Sequence, residues 1–544
     1  MSNSLKIAII GAGPRGLALA ERLGSEAKAS GQTIDIHMFD PNERFGAGPN
    51  FHPEESDLSL LNLPVYDVEL QNPDGENDNG FARYHAKNGG KDEAFPPRNK
   101  IGQWLEERFE KLGGSVKTVA AKVESIEKAE DGWTVSTQDG KGDTYSHVIL
   151  AVAQPESNPD RAVARWQGHA EKTKAELTDA YPSKELGKAA AKWKGKKVAI
   201  RGFALSSLDV LRQLTLAQGG SFTEDGYKAS GKEPEEIYIF SKDGLSMHPK
   251  PDGKELDAKY DLTEEEKAHF EEALHAAFAS EPKDAPAVVF AALNAPATRI
   301  LESFDAAPRS EAISTWLHNE LKQPGSQNQG DLTEILAQSH GMAKGDATPD
   351  VGYVLGQIWR KLQDNLSNVF DSTDEIPDES RKSLIAFDEG FKRYSYGPPV
   401  ETFAELRKLI DAGIVKLDFV DNPTLSMADD GWKLKSGDEE VVVDVLVNAV
   451  LPDGDLASVS DTAIAGLRDA GHLQANAVGG AKVSPRGEVL DSHGEPIEGL
   501  FLMGRLANGS VIGADTLKHC FGEGTNRIAA RILGTDKNEE EAAA

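Results

Sequence analysis

An α/β fold made of two similar domains and a helical insertion is predicted by three observations. An apolar strand run, a glycine turn and an apolar-periodic helix follow one another near the N-terminus, the same order restarts at Lys197, and residues 255–380 are acidic and helix-patterned. At 544 residues the chain is too long for one hydrophobic core, so two or three domains are expected.

The first unit runs through Lys6-Ile-Ala-Ile-Ile10 into the turn Gly11-Ala-Gly-Pro-Arg-Gly16, and on to a helix with Leu17, Ala20 and Leu23 on one face. Residues 34–40 supply a second strand that ends in Asp40, completing a βαβ unit. A dinucleotide pyrophosphate needs a backbone it can approach closely and a helix N-terminus whose N–H groups face the anion. Gly11, Gly13 and Gly16 have that spacing around Pro14 and Arg15, and Asp40 is placed to accept from the adenosine ribose while its charge repels a 2′-phosphate. The reading is a Rossmann-like site for FAD or NAD. A ligand-free glycine turn, and for Asp40 a strand-end turn residue before Pro41, are the competing readings. Alternation over residues 116–140 and the buried run 147–152 close this lobe, with His37 a packed or edge histidine.

The second unit runs from Lys197 to Arg201, then Gly202-Phe-Ala-Leu-Ser-Ser207 and a helix over 207–216. Alanine and serine replace the second and third glycines, so Gly202, Ala204 and Ser206 are its candidate contacts. The next strand, 236–240, ends in Ser241 and Lys242, a hydroxyl and an ammonium suited to a 2′-phosphate, with Lys250 and His248 further on. This favours NADPH, against a purely structural turn or an ordinary loop histidine. In the insertion, Thr263 and Glu266 have capping-box spacing, and Phe270, Leu274 and Phe278 form a packing stripe. Residues 371–382 read as an exposed acidic connector and 536–544 as a disordered tail. The expected division is an FAD-binding domain over 1–190 and 480–535, an NAD(P)H-binding domain over 191–254 and 381–479, and a helical insertion over 255–380.

Composition limits the function. With 39% hydrophobic and 27% charged residues the chain is globular in type, and its formal charge of −30 argues against nucleic acid and anionic membranes as partners. No export signal or membrane-length apolar stretch is read, so a cytoplasmic location is expected. Cys520 is the single cysteine, which removes a disulfide framework and the dithiol relay of a flavin disulfide reductase. It reads as a small packed residue, and no metal site is expected.

Further segments carry a family likeness: Phe45-Gly-Ala-Gly48, Leu60-Leu-Asn-Leu-Pro64, Pro96-Pro-Arg98 with Gly102 and Trp104, and Tyr396-Gly-Pro-Pro399. With the first glycine motif, they make the chain resemble the FAD/NAD(P)-binding proteins that include bacterial aspartate N-monooxygenases and a flavin-dependent urate hydroxylase. The resemblance runs over most of the chain and is weakest in the helical insert. It implies a monooxygenase in which NADPH reduces FAD and O2 is used on a small polar substrate, an amino acid or a purine-like molecule. It also implies that residues 499–526 return to the FAD lobe, with Gly504 and Gly509 near the flavin. Arg98 and Asn62 are the candidates for groups beside flavin or substrate, and a structural arginine is the alternative for Arg98. Two departures stand out: Ala151-Val-Ala153 followed by Gln154-Pro155 where such proteins carry an Ala-Thr-Gly turn, and Ile512-Gly513 where an aromatic and an acid are expected. Those departures, with the degenerate second motif, support a competing reading as a non-catalytic nucleotide sensor or partner-binding protein.

Overall fold

The computed structural model describes residues 5–72, 77–78, 80–90, 93–306, 310–328, 330–452 and 454–536. The first glycine turn grows out of the strand Leu5–Ile10, which lies inside a six-stranded sheet. Its strand order is Glu488–Leu490, Pro496–Leu502, His147–Leu150, Leu5–Ile10, Ile34–Asp40, Val116–Ala120. All neighbours are parallel except the first two. A parallel sheet is covered on both faces, so its strands read as unbroken apolar runs, and Ile7, Ala8 and Ile9 are fully buried. One face carries the helices Pro14–Ser30 and Glu523–Leu533 through Leu19, Leu23, Ile528 and Ile532. The other carries the antiparallel meander Val123–Ala129, Gly132–Thr137 and Gly142–Tyr145, anchored by Trp133 and Tyr145.

The second lobe repeats this plan. Its five-stranded sheet is parallel throughout, in the order Glu176–Asp179, Val445–Asn448, Lys197–Arg201, Glu236–Phe240, Val415–Lys416. A second meander, Thr424–Ala428, Gly431–Ser436 and Glu439–Val443, covers it with Trp432 and Leu434. The repeat extends to single hydrogen bonds. Gly11 N donates to Phe39 O, and Gly202 N to Phe240 O, both at 2.8 Å; Ala151 N donates to Ile10 O, and Ala449 N to Arg201 O, both at 2.9 Å. Gly11 and Gly202 take φ of 105° and 115°, a region that suits glycine because a Cβ would clash.

Helices from Glu264–Phe278 to Asp378–Ser395 enclose a separate core that holds Phe270, Leu274, Leu293, Trp359 and Phe391. The capping box forms: Thr263 Oγ1 accepts from Glu266 N at 3.2 Å and Glu266 Oε2 accepts from Thr263 N at 2.9 Å. Phe270 and Leu274 are buried and Phe278 packs against the same cluster.

Three features differ from the sequence expectation. The strand Glu176–Asp179, expected in the first domain, is an edge of the second sheet, and residues 456–473, expected in the second, pack on the first through Leu456, Ile464 and Leu467. Lobe membership here is decided by which sheet accepts an apolar face, and nothing local in those stretches encodes it. Residues 372–379 are mostly exposed, as expected of a connector, but Asp371 is buried and accepts from Ile512 N at 2.9 Å, and a helix begins at Asp378. Of the expected disordered tail, Asp536 pairs with Arg486 at 3.2 Å, and residues 537–544 lie outside the described residues.

Candidate functional site

A cavity of ≈ 310 Å³ lies at the carboxyl ends of the first sheet's strands, and Gly11, Gly13, Pro14, Arg15 and Asp40 all line it. Ligands of open α/β sheets bind in this position. Each glycine has its own reason. A Cβ on Gly11 would stand 2.7 Å from Ala151 O, and one on Gly16 would stand 2.2 Å from Gly11 O, so these two hold strand, turn and helix together. Gly16 is not among the lining residues. A Cβ on Gly13 would meet only Gly48, at 3.5 Å, so the fold itself leaves space for a side chain at this position of the cavity wall. No side chain caps the helix that starts at Pro14, which leaves its N-terminal dipole facing the cavity.

Asp40 is fixed from both sides. Its Oδ2 accepts from Ala12 N at 3.0 Å inside the glycine turn, and its Oδ1 accepts from Asn42 N at 2.9 Å. A carboxylate has lone pairs to spare beyond these two bonds, so it can also accept from a ribose.

Of the family segments, Phe45-Gly-Ala-Gly48 enters the lining, through Ala47 and Gly48. A Cβ on Gly102 would sit 1.6 Å from Phe51 O, which explains why the helix Arg98–Glu110 packs so closely under the loop that carries Gly48 to Phe51. Asp515, Thr516, Leu517 and Cys520 complete the lining from the C-terminal segment. Gly504 (φ 95°) is pressed against Arg15, where a Cβ would be 2.7 Å from Nε. Gly509 instead packs on Asn476 and Val478, and neither glycine is in the lining, Gly504 meeting it only through Arg15. Burial pushes the Cys520 thiol up, with nearby Arg15 opposing in part.

An ion pair joins the cavity wall to the helical unit. Lys392 Nζ lies 3.2 Å from Asp515 Oδ2 and 5.3 Å from the centre of the Tyr396 ring. Burial works against both charges, yet the pairing prevails: Asp515 is held below the usual carboxylate range and Lys392 above its ordinary value.

Several expected site residues lie elsewhere. Arg98 does not line the cavity; it is ion-paired with Asp209 on the second-lobe helix Leu205–Leu214 and lies over the Tyr181 ring at 5.2 Å. Burial opposes its charge, but Asp209, Tyr181 and Glu55 together more than offset this and hold the guanidinium above its ordinary value. Asn62 is also off the cavity, accepting from Lys250 Nζ at 3.1 Å and donating to Tyr396 O at 3.4 Å. Lys250 does not stand at a strand end: it is buried, bonded to Gly397 O, and pushed far below its ordinary value by burial. His248 is likewise buried, with Ser339 Oγ at 3.4 Å from Nδ1. Arg98, Asn62 and Lys250 each meet their partners across an interface between units.

In the second turn, Gly202 and Ala204 occupy the places of Gly11 and Gly13, and Ala204 is the N-cap residue of its helix. The third glycine's place belongs to Ser207, whose buried hydroxyl donates to Ala204 O at 2.6 Å, while Ser206 Oγ lies 3.3 Å from Tyr181 OH. Ser241 Oγ is used inside its turn, accepting from Gly244 N at 3.0 Å, and Lys242 is exposed beside it. None of these residues lines the cavity of the first lobe.

Sequence reasoning missed much of the cavity lining, including residues 121–123, Gln154, Asp461, Ile464 and Asp515. The Gly46 and Gly48 pair was the one local signal, since Gly46 N donates to Ala12 O at 2.7 Å. The others come from segments remote in the chain and carry no spacing of their own.

Residues 8–155 match the family model described as FAD-NAD(P)-binding. The chain is 28% identical over 271 residues to nitrosuccinic acid synthase of Aspergillus oryzae, an alignment covering 45% of this chain and 41% of that protein. It is 28% identical over 293 residues to the nitrosuccinate-forming L-aspartate N-monooxygenase of Streptomyces davaonensis, covering 44% and 43%. The chain thus spans less than half the length of these curated relatives. Among solved structures, the ornithine N-hydroxylase of Kutzneria sp. 744 superposes with a TM-score of 0.53 at 12% identity, over 98% of this chain and 100% of that one. The reduced ornithine hydroxylase of Pseudomonas aeruginosa gives 0.54 at 12%, over 98% and 99%. These two show the shared fold, and the family read from the glycine and Pro-Pro-Arg segments is the one the curated relatives represent.

Proposed function

We propose that this protein is an FAD-dependent, NADPH-consuming monooxygenase that acts on a small amino acid. One observation carries the reading: the same strand–turn–helix hydrogen bonds occur twice, at Gly11 and at Gly202, and the first copy opens on a cavity with Asp40 at its strand end. The curated relatives, one an L-aspartate N-monooxygenase by name and both nitrosuccinate-forming by name, support the reaction class and the substrate class.

When bound, FAD supplies the redox chemistry, with NADPH and O2 as co-reactants. The chain's contribution is binding and orientation. The helix N-terminus at Pro14 faces a pyrophosphate, Asp40 accepts from a ribose, and Gly13 leaves room for close approach. At the second lobe, Gly202 and Ala204 receive the second dinucleotide, with Lys242 for its 2′-phosphate. The Lys392–Asp515 pair brings charge from the helical unit to the cavity's edge, where it can orient a zwitterionic substrate.

The test is to purify the protein, record its flavin spectrum, and follow NADPH oxidation and O2 uptake with and without L-aspartate, other small amino acids and purines. The reading expects bound FAD and an amino-acid-dependent rise in O2 uptake with an N-oxygenated product. A protein that binds FAD but never turns over NADPH under any of these conditions is a nucleotide sensor instead.

A further inference from the structure

Gln154 follows Ala151-Val-Ala153, the stretch that stands where the resembled family carries Ala-Thr-Gly after the strand His147–Leu150, and it lines the first-lobe cavity. Both of its side-chain polar atoms, Oε1 and Nε2, are buried, and neither has a hydrogen-bond partner among the described residues. A buried amide with donor and acceptor both unmet is costly, and a native protein that keeps one has a use for it. The turn around it is held firmly. Glu156 O accepts from Ser460 N at 2.8 Å and from Asp461 N at 3.1 Å, and Lys122 Nζ donates to Glu156 Oε1 at 3.1 Å.

Its place along the cavity indicates what it meets. Lys122, which bonds Glu156 two residues on from Gln154, follows the strand Val116–Ala120, whose Ala120 pairs with Asp40, and Asp40, Lys122 and Gln154 line the same cavity. Asp515 and Thr516 enter the lining from the C-terminal segment instead. The base attached to that ribose is adenine. Its edge offers an amino donor beside a ring-nitrogen acceptor, the complement of a primary amide's carbonyl and NH2.

We infer that Gln154 is the residue that reads the adenine of the bound dinucleotide, its Oε1 accepting from the exocyclic amine and its Nε2 donating to the adjacent ring nitrogen. The inference rests on the FAD reading of this cavity. It assigns a role to the residue that directly follows the altered turn sequence.

The experiment measures equilibrium binding to the apoprotein by flavin fluorescence, using FAD, an FAD analogue whose base is purine without the 6-amino group, and FMN. Wild type should bind FAD about tenfold tighter than the purine analogue, the factor expected for one buried hydrogen bond. Gln154→Leu should lose about tenfold or more toward FAD, should no longer distinguish the analogue, and should bind FMN as wild type does. Its apoprotein should melt no lower than wild type, since the substitution removes unmet polar atoms; Gln154→Glu, with acceptors only, is the second variant and should also bind FAD more weakly. If wild type binds FAD and either variant binds it equally well with the same discrimination, Gln154 does not read the base. If wild type binds no FAD at all, the nucleotide site falls and this assignment with it.

Discussion

Arg98, the first residue of a first-lobe helix, is ion-paired with Asp209 on the helix that opens the second lobe. Tyr181 completes the contact, its hydroxyl donating to Asp209 Oδ2 at 2.7 Å. The pair therefore ties the two lobes together, and the Pro-Pro-Arg segment is a docking element of the fold.

Breaking that pair from one side should cost much more than replacing it whole. Arg98→Met leaves Asp209 buried without its cation, and about 3 kcal/mol of unfolding free energy should be lost in a urea titration. The double variant Arg98→Met/Asp209→Leu should recover most of that loss. Equal stability of Arg98→Met and wild type would mean the pair does not form.

The glycines of the first turn should separate by role. Gly16→Ala places a Cβ 2.2 Å from Gly11 O and should destabilise the apoprotein severely or prevent folding. Gly13→Ala meets ordinary contacts only, so its apoprotein should melt within a degree or two of wild type while FAD affinity falls about tenfold or more. Retention of wild-type FAD affinity by Gly13→Ala would contradict the placement of the pyrophosphate.

Donor preference should reside in Lys242. Its side chain is exposed next to a Ser241 hydroxyl already used within the turn, so the lysine alone is left to meet a 2′-phosphate. In steady-state kinetics Lys242→Ala should raise KM for NADPH about tenfold and leave NADH unchanged, on the scale of one charge-assisted hydrogen bond. A parallel loss with both donors would assign Lys242 to the fold.

The Asp515–Lys392 pair should show in the pH dependence of stability. Asp515 is held below its unfolded value, so its contribution is complete above about pH 4 and is lost as pH falls through the lower folded value. Lys392 is raised, so its contribution is complete below about pH 10 and is lost as pH rises through the higher folded value. Asp515→Asn should therefore lower Tm at pH 7 and flatten the fall in Tm at the acid end. An unchanged acid limb would show that other carboxylates set it.

The amino-acid sequence by itself determined the two strand–turn–helix starts, the capping box at Thr263 and the packing stripe through Phe270 and Leu274, because each is written in neighbours within a few turns of chain. It also determined that Gly11, Gly13 and Asp40 belong to one site, since a βαβ unit brings its strand ends together without help from the rest of the molecule. Only the tertiary structure decided that Arg98 meets Asp209, that Lys250 is buried on Asn62, and that Gln154 and Asp515 line the same cavity. Those pairings depend on which apolar faces dock across units hundreds of residues apart, and hydrophobic burial has no direction that a local pattern can record.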